Sequence, residues 1–510
     1  MKTSKTVYHK FLIDIIMKKI IYLLVFLIVS ACSNNFLELY PETSLNEGNF
    51  YKTQDDFILL ANGCYAPMRN YEKVEHWVIA EVISDNSSYQ QNPNDGGAWP
   101  RRVIDGFMAS SSNDNYTNFW NYSYQGITNC NKLLYEIERH EVSWKQGYKE
   151  RSYGEALFLR ALYYFNLVRQ FGGIPLVLKP ITAREAINIK RSTENQIYDQ
   201  IIADLTKASS YFSNATNVAE IGRANLGSTM ALLGKVNLTL QKYADAETTL
   251  RTLIDSKKYS LLPNYADLFN PAKKDNTETI FAIQYSESSV VLSNRFIFWF
   301  APWTSGGNVT KKPNIVINSS WNGWNQPTQD LINAFEPGDQ RKNVSIGFWT
   351  GKDWDGIVRP IPYCAKYKPP VSAPDDRCSD NFPILRYSDV LLMYAEVLNE
   401  QGRTNDAIPY VYQVRQRAGL TDPLVGYTKT SLEELIAKER QVEFCFENQR
   451  WYDLKRTGKA LEVMAAHGAR EKASKPFLDP GSFEMAEYKL LAPIPVEQIS
   501  INKLEQNPGY

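Results

Sequence analysis

The sequence predicts a mainly α-helical fold, with antiparallel helix pairs and a loop-rich section containing minor β-structure. Three observations predict it. Apolar and small residues recur at three- and four-residue intervals along most of the body, the spacing of one helical face. One such pattern occurs twice, about 160 residues apart. Between the two copies, residues 260–385 turn rich in Asn, Ser, Gly, Pro and Trp, a composition of loops and short strands.

The clearest helix is "GEALFLRALYYFNLVRQFGGIPLV". Leu157, Ala161, Tyr164, Phe165 and Val168 fall on one stripe. Gly172 and Gly173 offer a left-handed stop, and Pro175 prevents continuation. In "ANLGSTMALLGKVNLTLQKYADAETTLRTLIDSKKYSLL", a pattern opens at Leu233 and Gly234 and returns as Tyr243, Ala246, Leu250 and Leu253. Small residues let two antiparallel helices approach closely, with Tyr243 at the turn. This is the logic of a tetratricopeptide (TPR) unit. "LRYSDVLLMYAEVLNEQGRTNDAIPYVYQVRQRAGL" repeats the spacing through Ala395, Leu398, Gly402, Ala407, Val411 and Val414. Copies so far apart form no tandem array, so the pairs must pack as one scaffold with long insertions. Within the loop-rich section, Thr279–Tyr285 reads as a short strand.

The amino end reads as a targeting signal. Lys18 and Lys19 precede ten uncharged residues, Ile20–Val29, then Ser30, Ala31 and Cys32. A spanning helix needs about 20 apolar residues, whereas a secretory signal has roughly 7–15 after a charged start. "VSAC" resembles a bacterial lipobox, which makes Cys32 the lipidated first residue of the mature chain and residues 33–40 a tether. Met17 is the better start, so residues 1–31 are a signal peptide with an over-extended beginning. The body then divides into an N-terminal section, 32–225, and a C-terminal section, 226–510, packed together. No second long apolar segment follows, so the body is expected to be soluble and tethered at one end.

Composition narrows the function. Of 510 residues, 56 are Lys or Arg and 56 are Asp or Glu, so no basic excess points to nucleic acid. The four histidines have no metal-ligand spacing, and there is no HExxH, CxxC or GxSxG. The sequence therefore assigns no catalytic residue, metal ligand or cofactor. "DWDG", Asp353–Gly356, lacks the later ligands of a calcium loop and reads as a turn. Cys364 and Cys378 flank one loop and are a candidate disulfide. In "ERQVEFCFENQRWYDLKR", Glu439, Glu443 and Glu447 form one helical row, Arg440 and Arg450 face acids, and Phe446 and Trp451 are core anchors. That pattern reads as a structural network rather than an active site.

Aromatics stand out. Six of the eleven tryptophans (Trp299, Trp303, Trp321, Trp324, Trp349 and Trp354) fall between residues 299 and 354. A second aromatic stretch is "SDNSSYQQNPNDGGAWPRR". Flat rings with a polar edge suit a wet binding surface.

Four ordered motifs carry a resemblance that runs from Cys32 to Tyr510: "EALFLRALYYFNLVRQFGGIPLV", "FPILRYSDVLLMYAEVLNEQG" with "VRQRAGL", "ERQVEFCFENQRWYDLKRTG", and the ending "YKLLAPIPVEQISINKLEQNPGY". They resemble the SusD/RagB family of surface nutrient-binding lipoproteins. The resemblance implies a SusD-like helical fold with TPR-like pairs and a ligand surface built from loops. It implies an outer-membrane lipid anchor and a SusC-like TonB-dependent transporter as partner. The implied ligand is a nutrient oligomer, most often a glycan, with peptide as the RagB alternative; a surface glycoside hydrolase or an adhesin are the competing classes. By the family's loop positions, the expected ligand residues are Tyr89, Asn94, Asp95, Trp99, Arg101, Trp303, Trp321 and Trp324.

Overall fold

The computed structural model describes residues 16–17, 19, 50–215, 221–315, 322–370 and 372–510. The run Ile20–Val29, Cys32, the tether 33–40 and Trp321 lie outside the described residues.

Helix α1 (Gln54–Lys73) carries Pro67 inside it, and its neighbours repair the damage. Proline has no N–H, so the carbonyl of Gly63 loses its helical donor. Asn129, on the helix Asp114–Arg139 (α3, after the short α2, Trp99–Asp105), supplies one from its Nδ2 at 2.8 Å. One residue on, the Tyr163 hydroxyl enters the opened ladder from α4 (Tyr148–Phe171). It donates to the Cys64 carbonyl at 2.8 Å and accepts from Met68 N–H at 3.0 Å. The Tyr163 ring reaches this place across Gly126 of α3, where an added methyl would stand 2.1 Å from the ring.

Helix α4 is the centre of the N-terminal half. The sequence marks one apolar stripe, but the structure buries almost the whole circumference, because α1, α3 and α5 (Glu194–Asn214) surround it. Arg160 is buried with them and is answered by Asp204 at 2.7 and 2.8 Å and by Asn131 Oδ1 at 2.8 Å. The helix stops at Gly172, at φ +73°.

Both helix pairs form as read: α6 (Leu226–Thr239) with α7 (Tyr243–Asp255), and α8 (Tyr387–Glu400) with α9 (Thr404–Arg417). Gly234 is where α6 and α7 touch; a Cβ there would lie 2.5 Å from Leu250. The pairs stack directly on each other, joined by Arg403–Glu247 at 2.7 Å and Lys235–Asp389 at 2.9 Å.

The expected strand appears as β2 (Thr279–Ile283), antiparallel to β6 (Phe382–Arg386), with Ile283 opposite Phe382. Two further antiparallel pairs are β1 (Ser87–Ser88) with β3 (Gln326–Pro327), and β4 (Ile346–Lys352) with β5 (Val358–Cys364). "DWDG" is the turn of the second hairpin, closed by Asp353 N–H to the Ile357 carbonyl at 2.9 Å. Cys364 and Cys378 are both free thiols, so the candidate disulfide does not form. Cys364 sits in the main core, while Cys378 packs in a separate cluster with Ile297, Phe298 and Ala301.

The charged motif is split. Helix α10 (Lys429–Glu443) ends before Glu447, and α11 (Arg450–Arg456) restarts the chain, followed by α12 (Ala460–Ser474). Between them Phe446 and Asn448 hold positive φ, so the expected single row of three glutamates is broken. Partners from distant segments decide this. Glu81 accepts from Phe446 N–H at 2.7 Å and Asn448 N–H at 2.9 Å. Arg386 reaches Glu447 at 2.8 Å and both Glu278 and Glu443 at 2.9 Å. Arg341 and Arg417 also hold Glu443, Lys366 holds Glu447, and Arg341 and Arg415 hold Glu439. Phe446 and Trp451 are buried as expected, Arg440 pairs with Asp389 and Asp453, and Arg450 with Asp85.

These charges set a pH dependence. Burial pushes Glu443 up, but Arg417, Arg386 and Arg341 overcome it and hold the carboxyl well below its usual range. Its contribution is present above the unfolded value of about 4.3 and is lost as pH falls. Burial pushes Asp105 and Asp380 up to about 7, and each keeps one oxygen without a hydrogen-bond partner. Both are uncharged in either state below the unfolded value of about 3.9, and their contribution is lost as pH rises toward 7. Unfolding followed from pH 5 to 8 should therefore show lower stability at pH 7.5 than at pH 5. A steady rise from pH 5 to 8 contradicts this assignment.

Candidate functional site

The two aromatic stretches meet around one residue, Gln90, which contacts several of their segments at once. Its backbone N–H donates to the Gly323 carbonyl at 2.7 Å. Its Oε1 accepts from Trp303 N–H at 2.8 Å. Its Nε2 donates to Thr304 Oγ1 at 3.0 Å and to Asp353 Oδ1 at 2.8 Å. One buried glutamine thus fastens the loop after β1, the loop before β3 and the turn of the β4–β5 hairpin. Asp353 also accepts from Trp354 N–H at 2.8 Å, and Trp354 packs edge-on against Phe477 of the segment after α12.

Around this knot the local sequence explains each placement. Asp95 Oδ1 accepts from Gly97 and Ala98 N–H, both at 3.1 Å, and so caps the short turn that leads into α2. Trp99 opens α2 and stands 56% exposed. Asn94 is exposed, its N–H donating to Asn92 Oδ1 at 3.2 Å. Arg102 closes the loop by donating to the Asn92 carbonyl at 2.9 Å. Trp303 is half-buried, and its indole N–H is spent on the Gln91 carbonyl at 3.0 Å.

The remaining expected residues lie deeper. Trp324 is 2% exposed and packs on Tyr89 at 5.3 Å and on Trp77 at 6.4 Å. Arg101 is buried, its guanidinium 5.3 Å from the centre of the Trp324 ring, and burial pushes it down to about 10. Tyr89 is also buried, with Arg102 over its ring at 5.3 Å and its hydroxyl pushed up by burial. These three pack beneath the surface of the loops, on which Trp99 and Asn94 are exposed and Trp303 is half-buried. Trp324 and Arg101, both expected among the ligand residues, lie buried against neighbouring rings.

Sequence reasoning missed Gln90, Thr304 and Asp353. An isolated glutamine carries no signal of its role, and Asp353 reads only as a turn residue. Cavities of 310, 240, 470 and 270 Å³ lie elsewhere, and none is lined by the expected residues. Among the described residues no cluster of three or more His, Cys, Asp or Glu side chains has the geometry of a metal site. The site is an open loop face with apolar ring surface and a polar amide beside it, which suits adsorption of an extended ligand rather than enclosure of a small one.

Comparison with known proteins identifies the family and the fold. The family model described as "SusD family" matches residues 257–510, and one described as "Starch-binding associating with outer membrane" matches residues 35–238. SusD-like protein P38 of Formosa agariphila is 28% identical over 481 residues, covering 86% of this chain and 90% of that protein. A solved laminarin-binding SusD-like protein is 25% identical, with a TM-score of 0.75 over 90% of this chain and 100% of that one. Surface glycan-binding protein A from Bacteroides thetaiotaomicron, solved with laminarihexaose, shares the fold at 20% identity, with a TM-score of 0.72 over 89% of this chain and 100% of that one. With both halves of its length matched and its helix pairs in place, the chain belongs to the SusD/RagB family.

Proposed function

We propose that this protein binds a nutrient glycan at the cell surface and hands it to a SusC-like TonB-dependent outer-membrane transporter, without turning it over. The observation that carries the reading is the open aromatic face. Trp99 and Trp303 expose ring surface, Asn94 adds a polar amide, and Gln90 locks the loops beneath. Sugar rings present C–H faces that pack on aromatic rings, while amides meet hydroxyls. Trp321, outside the described residues, is kept as a proposed ligand residue on the sequence alone. Loops already held in position lose little freedom when a ligand arrives. The solved laminarin-binding relative supports a glucan oligomer as the first ligand to try.

Titration with laminarin oligomers and other glycans, with peptides alongside, tests the site. Trp99→Ala combined with Trp303→Ala should weaken binding by at least about 2 kcal/mol, the scale of a hot spot and more than tenfold in affinity. Trp99 is surface-exposed, so its removal should leave the unfolding midpoint nearly unchanged. Wild-type affinity in the folded double variant, or new reducing ends in the mixture, overturns the reading.

In this reading Cys32 carries the lipid that holds the body at the outer membrane, residues 33–40 act as the tether, and sections 32–225 and 226–510 move as one lid. The lock between Glu81 and the Phe446–Asn448 segment supports the single body, as does the Asp85–Arg450 pair at 2.8 Å. No helix among the described residues is long and apolar enough to cross a membrane, so passage of cargo falls to a partner. Fractionation in mild detergent should find the native protein in the outer membrane with one large barrel. Cys32→Ala should release it to the soluble fraction. A membrane-bound Cys32→Ala protein, or native protein that never brings down a barrel, counts against the anchor or the partner respectively.

A further inference from the structure

Away from the aromatic face, a 240 Å³ cavity opens where α4, α5, α6 and α11 meet. Val168, Leu238 and Met393 give it an apolar wall. Five cations and two acids also line it, and the pairing between them is incomplete. Lys235 and Arg440 share Asp389 at 2.9 and 2.8 Å. Arg440 also holds Asp453 at 2.9 Å, as does Arg456 at 2.8 Å, and Arg456 holds Glu396. Three cations are thus answered by three carboxylates.

Arg169 and Lys455 are left over. Arg169 lies between the Phe165 and Tyr452 rings, 3.9 Å from each centre, and donates to the Phe165 carbonyl and Asn166 Oδ1. Lys455 Nζ donates to the Arg169 carbonyl and sits 5.4 and 5.2 Å from the Trp451 and Tyr452 ring centres. Among the described residues neither forms an ion pair. The other acid of the lining, Glu194, is exposed on the first turn of α5. Both are half-buried, and two neighbouring cations with so little counter-charge repel one another. Burial and the nearby Arg169 push Lys455 down to about 7, against the pull of Glu194.

We propose that this cavity binds a small ligand through an oxyanion, a carboxylate or sulfate seated between Arg169 and Lys455, with the apolar part of the ligand on Val168, Leu238 and Met393. The anion completes the charge balance that the chain leaves open. The site stands apart from the aromatic face and does not depend on the ligand bound there.

Lysine acylation by acetic anhydride at pH 7.5, mapped by peptide mass spectrometry on the full folded chain, reads the site directly. The rate is followed at Lys455 and, as a control, at the exposed Lys459. Sodium sulfate or sodium glucuronate at about 20 mM should slow Lys455 at least about fivefold, as occupancy of the site requires. Lys459 should be unaffected, and sodium chloride at matched ionic strength should not substitute. Stronger protection by glucuronate identifies a carboxylate ligand, and stronger protection by sulfate a sulfated one. In a second measurement, either anion should raise the unfolding midpoint of the wild type and of Lys455→Arg, but not of Lys455→Met. No selective protection by either anion, or an equal midpoint shift in Lys455→Met, overturns the proposal.

Discussion

Replacing Arg386 with methionine should cost about 3–5 kcal/mol of stability, the range for removing one partner of a buried ion pair. The side chain is 2% exposed and serves Glu278, Glu443 and Glu447 together, with Ser388 Oγ at 2.7 Å. Methionine fills much of the volume but leaves three buried carboxylates with less positive charge. Arg386→Lys should fall between the two, because one ammonium cannot reproduce the guanidinium's several directed bonds. Chemical denaturation compares the three proteins. A loss under about 1 kcal/mol for Arg386→Met would mean that Lys366, Arg341 and Arg417 already satisfy the glutamates. The effect should reach the candidate site indirectly, since Arg341 lies at the start of the segment that enters β4, whose hairpin carries Asp353.

Gly126→Ala should be of similar size. Alanine normally favours a helix by about 1 kcal/mol over glycine, so the expected sign is reversed here for a specific reason. The new methyl would stand 2.1 Å from the Tyr163 ring. Tyr163 cannot withdraw without abandoning the Cys64 carbonyl and the Met68 N–H. Overpacking costs about 1–3 kcal/mol, and each buried polar group left alone adds about 1–3 kcal/mol. A total near 3–5 kcal/mol follows. Repeating the substitution in a Tyr163→Ala background isolates the mechanism. With the ring gone, Gly126→Ala should become neutral or stabilising, and an undiminished cost there would place the strain elsewhere.

What the sequence determined by itself is local and periodic. The stripe at Leu157–Val168, the two helix pairs with Gly234 at a contact, and the strand at Thr279 rest on spacings within a few residues, and all form. The turn at Asp353–Gly356 is legible for the same reason. The four ordered motifs identified the family because each is a continuous segment. The clustering of tryptophans marked the loops that Gln90 joins.

Tertiary structure decided depth, partnership and interruption. Trp99 and Trp324 look equivalent as residues, yet one is mostly exposed and the other is sealed between Tyr89, Trp77 and Arg101. The role of Gln90 depends on two loops, each more than 200 residues downstream, arriving at its one amide. The helix break after Glu443 follows from buried Glu81, far upstream, which captures the N–H groups of Phe446 and Asn448. The two cysteines that flank one loop end in different apolar clusters. Each of these outcomes turns on burial and on partners from remote segments. Local spacing carries no information about either, because both are set only when the whole chain is packed.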